Sequence, residues 1–259
     1  MNKPKKIATE TDDWQALKSY TAARIALGRT GVSIPLRESL QFNLAHAHAK
    51  DAVYSCLDHS GLQEALADTA LPIYSVYSQA ANRDIYLQRP DLGRLLANES
   101  ARQLHELNAS PSQLSIIIAD GLSANAVNTY APLVVRRLID TARLAGYTFA
   151  PITLVEQGRV AISDDIGHIL QAQLVIMLIG ERPGLSSFDS MGAYLTYAPI
   201  PGLTDERRNC LSNIRDQGLP PAVAVSKLMW LVDSAFRLQL TGVSLKDTDG
   251  SEPDRLSIG

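Results

Sequence analysis

Only two cysteines, Cys56 and Cys210, occur in the 259 residues. That is too few for a disulfide framework, and a reducing cytosol is the simpler setting. A basic excess is also missing: the formal net charge is −3. Phosphate-backbone binding demands the opposite, which argues against nucleic acid and leaves small molecules or proteins as partners. No apolar stretch approaches the length of a membrane span. The basic start, Met1-Asn-Lys-Pro-Lys-Lys-Ile7, has no apolar core behind it and is not a signal peptide. Residues 1–10 read as a mobile leader. There is no internal repeat and no low-complexity region. What remains is ordinary globular composition, 46% hydrophobic and 20% charged, enough for one large or two modest domains.

Missing motifs narrow the chemistry. A dinucleotide-binding domain needs Gly-x-Gly-x-x-Gly at its first strand-to-helix turn. Here that turn is Asp120-Gly-Leu-Ser-Ala-Asn-Ala126, with one glycine, so a diphosphate has no close backbone to rest on. Walker A, His-Glu-x-x-His and Cys-x-x-Cys are all absent, and nothing supports a zinc or iron site. His46 and His48 stand two apart on an expected helix, point to different sides and cannot share an ion. Gly121-Leu-Ser-Ala-Asn125 approaches the nucleophile elbow Gly-x-Ser-x-Gly but lacks its last glycine, so Ser123 reads as a helix N-cap rather than a nucleophile. Cys210, as a lone cysteine, reads as a small apolar residue rather than a reactive thiol.

What is present is an alternation of apolar runs and helical periods. Leu174-Val-Ile-Met-Leu-Ile179 runs straight into Gly180, Glu181 and a Pro183-Gly184 turn. An apolar run without alternation marks a strand covered on both faces, as in a parallel sheet. Residues 114–119, 149–155 and 193–200 are expected as further strands. Helices are expected to enter at Pro132 and Ser163, to be capped by Thr204-Asp205-Glu206 and stopped at Gly218, and to run from Pro220-Pro221 to Gly242. This places Cys210 in the first turns of the helix after the fourth strand. The rhythm over 111–243 implies an α/β domain with a parallel, three-layer sheet. Ahead of it, residues 11–110 read as mainly helical. One helix runs from Thr11 or Asp12 to about 27. A second opens at Ser33 and Pro35, with Leu36, Leu40, Leu44 and Ala47 along one face, and a third spans Asp91 to about Leu107. A short β-hairpin or two minor strands fall within 71–88. Residues 244–259 read as a frayed tail.

Open α/β sheets bind ligands outside the carboxyl ends of their strands. Glu181 lies just past one such end, and Val160 follows another after Gln157-Gly158-Arg159. The plain alternative for Glu181 is a solvated acid opening a turn.

Six segments, taken together, resemble the small (light) subunit of ethanolamine ammonia-lyase. They are Thr21-Ala-Ala-Arg-Ile-Ala-Leu-Gly-Arg-Thr-Gly31, Tyr86-Leu-Gln-Arg-Pro-Asp-Leu-Gly-Arg94, Asp120-Gly-Leu-Ser123, Gly158-Arg-Val160, Gly180-Glu-Arg-Pro-Gly-Leu185 and Asn209-Cys-Leu-Ser-Asn-Ile214, the last followed by Gly218-Leu-Pro-Pro221. They keep the family's order over roughly residues 20 to 242. The resemblance implies a Rossmann-like, mostly parallel sheet flanked by helices and preceded by a mainly helical region. It implies adenosylcobalamin held between this chain and a large barrel subunit, in a hetero-oligomer of several copies of each. The family's cofactor contacts transfer to Val160, Glu181 and Cys210. None of the three is expected to be catalytic or to bind a metal. The implied reaction is a radical one: Co–C homolysis, hydrogen abstraction from the carbinol carbon, amine migration, and release of ammonia and acetaldehyde from ethanolamine. A chain of this length has no room for a (β/α)₈ barrel besides its sheet, so the substrate residues fall to the partner. The implied location is the cytoplasm, or a bacterial microcompartment, though the leader here is short for the latter.

Many cobalamin-binding sheets supply a histidine to cobalt through Asp-x-His-x-x-Gly. That sequence is absent, and Asp58-His59-Ser60-Gly61 has the wrong spacing, so cobalt is expected to keep its own dimethylbenzimidazole base. Two rival readings remain at this point: a non-catalytic α/β metabolite-binding or regulatory module, and a serine hydrolase built on Ser123.

Overall fold

The structure is a computed structural model that describes residues 9–21 and 23–246. Apart from residues 9–10 and 244–246, the expected leader and tail lie outside the described residues. Six runs rich in aliphatic residues form the strands of one sheet: β1 (Ile73–Tyr77), β2 (Ser112–Ala119), β3 (Ile152–Glu156), β4 (Ala172–Gly180), β5 (Met191–Tyr197) and β6 (Arg208–Ile214). Their spatial order is β1-β3-β2-β4-β5-β6. The first three pairings are parallel, and the β4–β5 and β5–β6 pairings are antiparallel. The α-helices are α1 (Leu36–Val53), α2 (His59–Ala65), α3 (Arg83–Gln88), α4 (Asn98–Glu106), α5 (Ala124–Leu144), α6 (Ile162–Ile169) and α7 (Pro221–Leu238).

Period-two alternation on the central strands sorts these helices into layers. Ile116 and Ile118 of β2, with Leu174, Ile176 and Leu178 of β4, pack toward α5 and α7. Their neighbours Ile117, Ala119, Val175, Met177 and Ile179 pack toward α4 and α6. Both faces of the sheet are therefore buried, as the apolar runs require. The fold is α/β, with a six-stranded mixed sheet flanked by helices.

Several expected elements take another form, each for a local reason. The sheet is not wholly parallel, because the connection from β4 to β5 is a loop without a crossover helix, and a parallel return needs one. The helix expected over 204–218 is instead a single 3₁₀ turn, Asp205–Arg207, followed by strand β6. Arg208 is drawn inward to Asp164 while its backbone pairs with Thr196 of β5. Within 71–88 there is no hairpin. Ile73–Tyr77 is a full parallel partner of β3, and Ile85 and Tyr86 belong to α3, whose first turn is capped by the Asn82 side chain accepting from the Ile85 N–H. The helix expected over 91–107 begins only at Asn98, because the backbone of Leu95 and Ala97 is bonded to Gln79 and Tyr77. Among the described residues between Thr11 and residue 27, only the 3₁₀ segment Asp13–Ser19 forms, and Glu10 and Arg29 close the segment by two backbone bonds and an ion pair. Helix α5 starts at Ala124, with Pro132 inside it. Helix α1 opens after Pro35 as expected, but Leu36, Leu40 and Leu44 of its stripe are 73%, 58% and 57% exposed.

Candidate functional site

Strands β2, β3 and β4 end at one edge of the sheet, and two glycines let the ends of β2 and β4 converge. Gly121 adopts φ +55°, and a Cβ there would overlap the Gly180 carbonyl. A Cβ on Gly180 would in turn overlap the Ser123 carbonyl. The contact is sealed by the Leu122 N–H donating to Gly180 O at 2.9 Å.

Asp120 ties the third strand end to the first. Its carboxylate is buried and accepts the N–H groups of Gln157 (2.9 Å) and Gly158 (3.2 Å), with Arg83 at 3.6 Å. Burial outweighs these favourable partners and pushes the Asp120 carboxyl up to about 6. The loop it holds carries Arg159 and Val160. Tyr86 supports that loop from below. Its hydroxyl donates to Gly158 O at 3.0 Å, and burial raises its pKa. The guanidinium carbons of Arg83 and Arg159 lie 4.9 and 4.3 Å from the centroid of the Tyr86 ring. Gly93 permits this stack, since a Cβ there would come within 2.8 Å of the ring and 2.9 Å of the Arg159 stem.

These strand ends surround a cavity of about 390 Å³ lined by Tyr86, Arg159, Val160, Ile179, Glu181 and Tyr194, among others. Larger depressions of about 740 and 500 Å³ are lined only by residues between Thr9 and Gln41 and take nothing from the sheet. The smaller cavity is the better candidate, because polar and aromatic groups from α3, from β5 and from the ends of β2, β3 and β4 converge on it.

Val160 and Glu181, expected as site residues from the sequence, share this cavity. Glu181 is half-buried and aims its carboxylate at β6. It accepts from Ser212 Oγ at 2.5 Å and from the Asn213 N–H at 3.2 Å to each oxygen. Cys210 stands on strand β6 rather than on a helix, directly opposite Tyr194 of β5. It is therefore beside the cavity wall rather than in the lining. Its side chain is exposed at the surface, yet partial desolvation raises the thiol pKa. The Tyr194 hydroxyl opposes that rise and the Glu181 charge adds to it.

Ser123 occupies the N-cap position of α5 but does not cap it. Its hydroxyl donates to Phe188 O at 3.1 Å, and the residue has no exposed surface. That removes both the capping role and the hydrolase reading. Both ring nitrogens of His59 are engaged, by Ser75 Oγ at 2.9 Å and Glu156 Oε1 at 2.7 Å.

Sequence reasoning assigned no role to Tyr86, Arg159, Asp120 or Tyr194. The first three lie inside segments that the sequence singles out, Asp120 at the start of one and Arg159 immediately before Val160. Tyr194 had no such signal, because its neighbour Cys210 was assigned to a helix.

The ethanolamine ammonia-lyase light chain family model matches residues 11–246. An ethanolamine ammonia-lyase small subunit from Xanthomonas campestris pv. campestris (strain B100) is 50% identical over 251 residues, 96% of this chain and 91% of that protein. One from Pseudomonas syringae pv. tomato is 48% identical over 250 residues, 95% and 87% of the two chains. One from Pseudomonas putida (strain W619) is 48% identical over 246 residues, 94% and 90%. With a match across nearly all of the described fold, the chain belongs to the ethanolamine ammonia-lyase light chain family and is a lyase subunit.

Proposed function

We propose that the cavity at the strand ends is this chain's half of an adenosylcobalamin site, closed on its other side by a large subunit, and that the complex converts ethanolamine to acetaldehyde and ammonia by a radical route. One observation carries the reading: Val160 and Glu181, which the family resemblance assigns to the cofactor, line one cavity, with Cys210 on its flank. When bound, the cofactor supplies the radical by cleavage of its Co–C bond, and the proteins bind and orient it.

The residues present suit such a group as a half-site. The cavity is far smaller than a corrinoid and open to solvent, so a macrocycle seated there keeps most of its surface for a second protein. Tyr194 and Ile179 offer apolar surface. Glu181 retains lone pairs beyond those used by Ser212 and Asn213, and can accept from corrin amide side chains. Cys210 offers a soft, weakly polar sulfur beside the wall. In this reading residues 111–243 carry the cofactor-binding unit, and β1 completes its edge.

Membership of a small-subunit family implies a large-subunit partner. Among the described residues, half of the exposed large apolar side chains fall between Trp14 and Tyr54, which suits a surface covered in a complex. No helix among the described residues is long and apolar enough to cross a membrane.

Co-expression with the large subunit, followed by cofactor titration and an acetaldehyde assay, tests the proposal. Cobalamin-dependent acetaldehyde release by the complex is the expected result. A complex that assembles yet captures no cobalamin refutes it.

A further inference from the structure

Arg159 is a cation without a counter-charge. Its backbone is fixed by an N–H bond to Gly93 O at 2.8 Å, and its guanidinium carbon sits 4.3 Å from the centroid of the Tyr86 ring. Its Nε is buried with no hydrogen-bond partner, and among the described residues no carboxylate pairs with it. The acid sharing the cavity, Glu181, is turned to Ser212 and Asn213. Asp120, which holds the loop carrying Arg159, is itself engaged by the loop backbone and by Arg83. A buried guanidinium N–H left without an acceptor is costly, and the side chain that carries it lines the cavity.

A planar, permanently charged fork held by stacking suits a phosphate oxyanion better than a neutral amide. Cobalamin carries one such anion, the phosphodiester of its nucleotide loop, while its corrin side chains are neutral amides. The geometry points to Arg159 as the residue that recognises this phosphodiester. The inference rests on the cofactor reading above. It adds a contact of opposite chemistry to that of Glu181.

Cyanocobalamin and dicyanocobinamide separate the possibilities, because the second has the corrin and its amides but no phosphodiester. Each is titrated by absorbance into the co-expressed complex, unaltered or with Arg159→Ala or Arg159→Lys. The expected result is a loss of about tenfold or more in cyanocobalamin affinity for Arg159→Ala, partly restored by Arg159→Lys, with cobinamide affinity unchanged. In the unaltered complex, cyanocobalamin affinity should fall with added salt while cobinamide affinity holds, a measurement that needs no variant. Equal losses for both corrinoids, or no loss for either, overturn the inference and leave the cofactor reading standing. Equal salt dependence for both does the same. If the unaltered complex captures neither corrinoid, the cofactor reading falls and takes this inference with it.

Discussion

Arg208 and Asp164 form a two-pronged ion pair, 2.6 and 2.7 Å, with both side chains only 1% exposed. Thr196 Oγ1 and Leu203 O accept further bonds from the same guanidinium. The pair fastens the start of β6 to helix α6, and so holds Cys210, two residues on, beside Tyr194. Removing Asp164 leaves the buried guanidinium with only the exposed Asp205 carboxylate, 3.4 Å away, as counter-charge among the described residues. Asp164→Ala is expected to destabilise the fold by about 3–5 kcal/mol, read as a lower urea midpoint at constant slope. A loss below about 1 kcal/mol would show that the pair does not bind β6 in place.

Asp120 gives the fold a pH dependence of definite sign. Its folded pKa is raised from 3.8 to about 6, so between those values the folded state holds a proton that the unfolded state has lost. This contribution to stability is complete below about pH 4 and is lost as pH rises through 6. The full change amounts to about 3 kcal/mol. Asp120→Asn should remove that fall, so the stability difference between variant and parent shifts in the variant's favour from pH 4 to pH 7. Urea denaturation at several pH values measures it, and a difference independent of pH contradicts the assignment.

If the proposed cofactor site is right, Glu181 serves two separable ends, joining β4 to β6 and binding the cofactor. Glu181→Ala is expected to weaken cobalamin capture by the complex by about tenfold or more. Ser212→Ala removes the 2.5 Å bond yet leaves the carboxylate, and should change affinity far less. Matching losses in the two variants would mean that the acid serves only to bridge β4 and β6.

The Cys210 thiol should be sluggish despite its exposure. With its pKa raised, the thiolate fraction at neutral pH is small. Alkylation by iodoacetamide, followed by peptide mass spectrometry, should be slower in the folded protein than in urea and should keep rising with pH beyond the point at which an unperturbed thiol levels off. Asp164→Ala, by loosening β6, should speed it. Rapid alkylation of the folded parent at pH 7 would exclude the raised pKa.

Gly180→Ala tests how closely the strand ends meet. Its new methyl group would drive into the carbonyls of Ser123 and Asp120. Neither is the end of a flexible side chain, so about 3 kcal/mol or more of stability should be lost. Thermal denaturation suffices to check this, and an unchanged midpoint would show that the loops can part freely.

The elements legible in the sequence were those decided by burial. β2 and β4 announced themselves as largely apolar runs because both of their faces are covered, and the stripe of α7 did so because one of its faces is. β6 was illegible for the converse reason. Arg208-Asn-Cys-Leu-Ser-Asn-Ile214 lies at the sheet edge with alternate exposure, and Thr204-Asp205-Glu206 before it has the chemistry of a helix cap. The register that puts Cys210 opposite Tyr194 is tertiary information with no local trace. The same holds for the Arg83–Tyr86–Arg159 stack, which joins residues more than seventy positions apart. Val160 and Glu181 could be placed on one side of the sheet because each follows a readable strand, while their link to a cofactor came from the family resemblance.

The leucines of α1 bear on supply as well as on structure. A helix that offers Leu36, Leu40 and Leu44 to water gives stray copies of the chain a common adhesive stripe. Any excess made without its cover is then prone to clump, so a cell gains by matching output of this polypeptide to that of whatever shields the stripe.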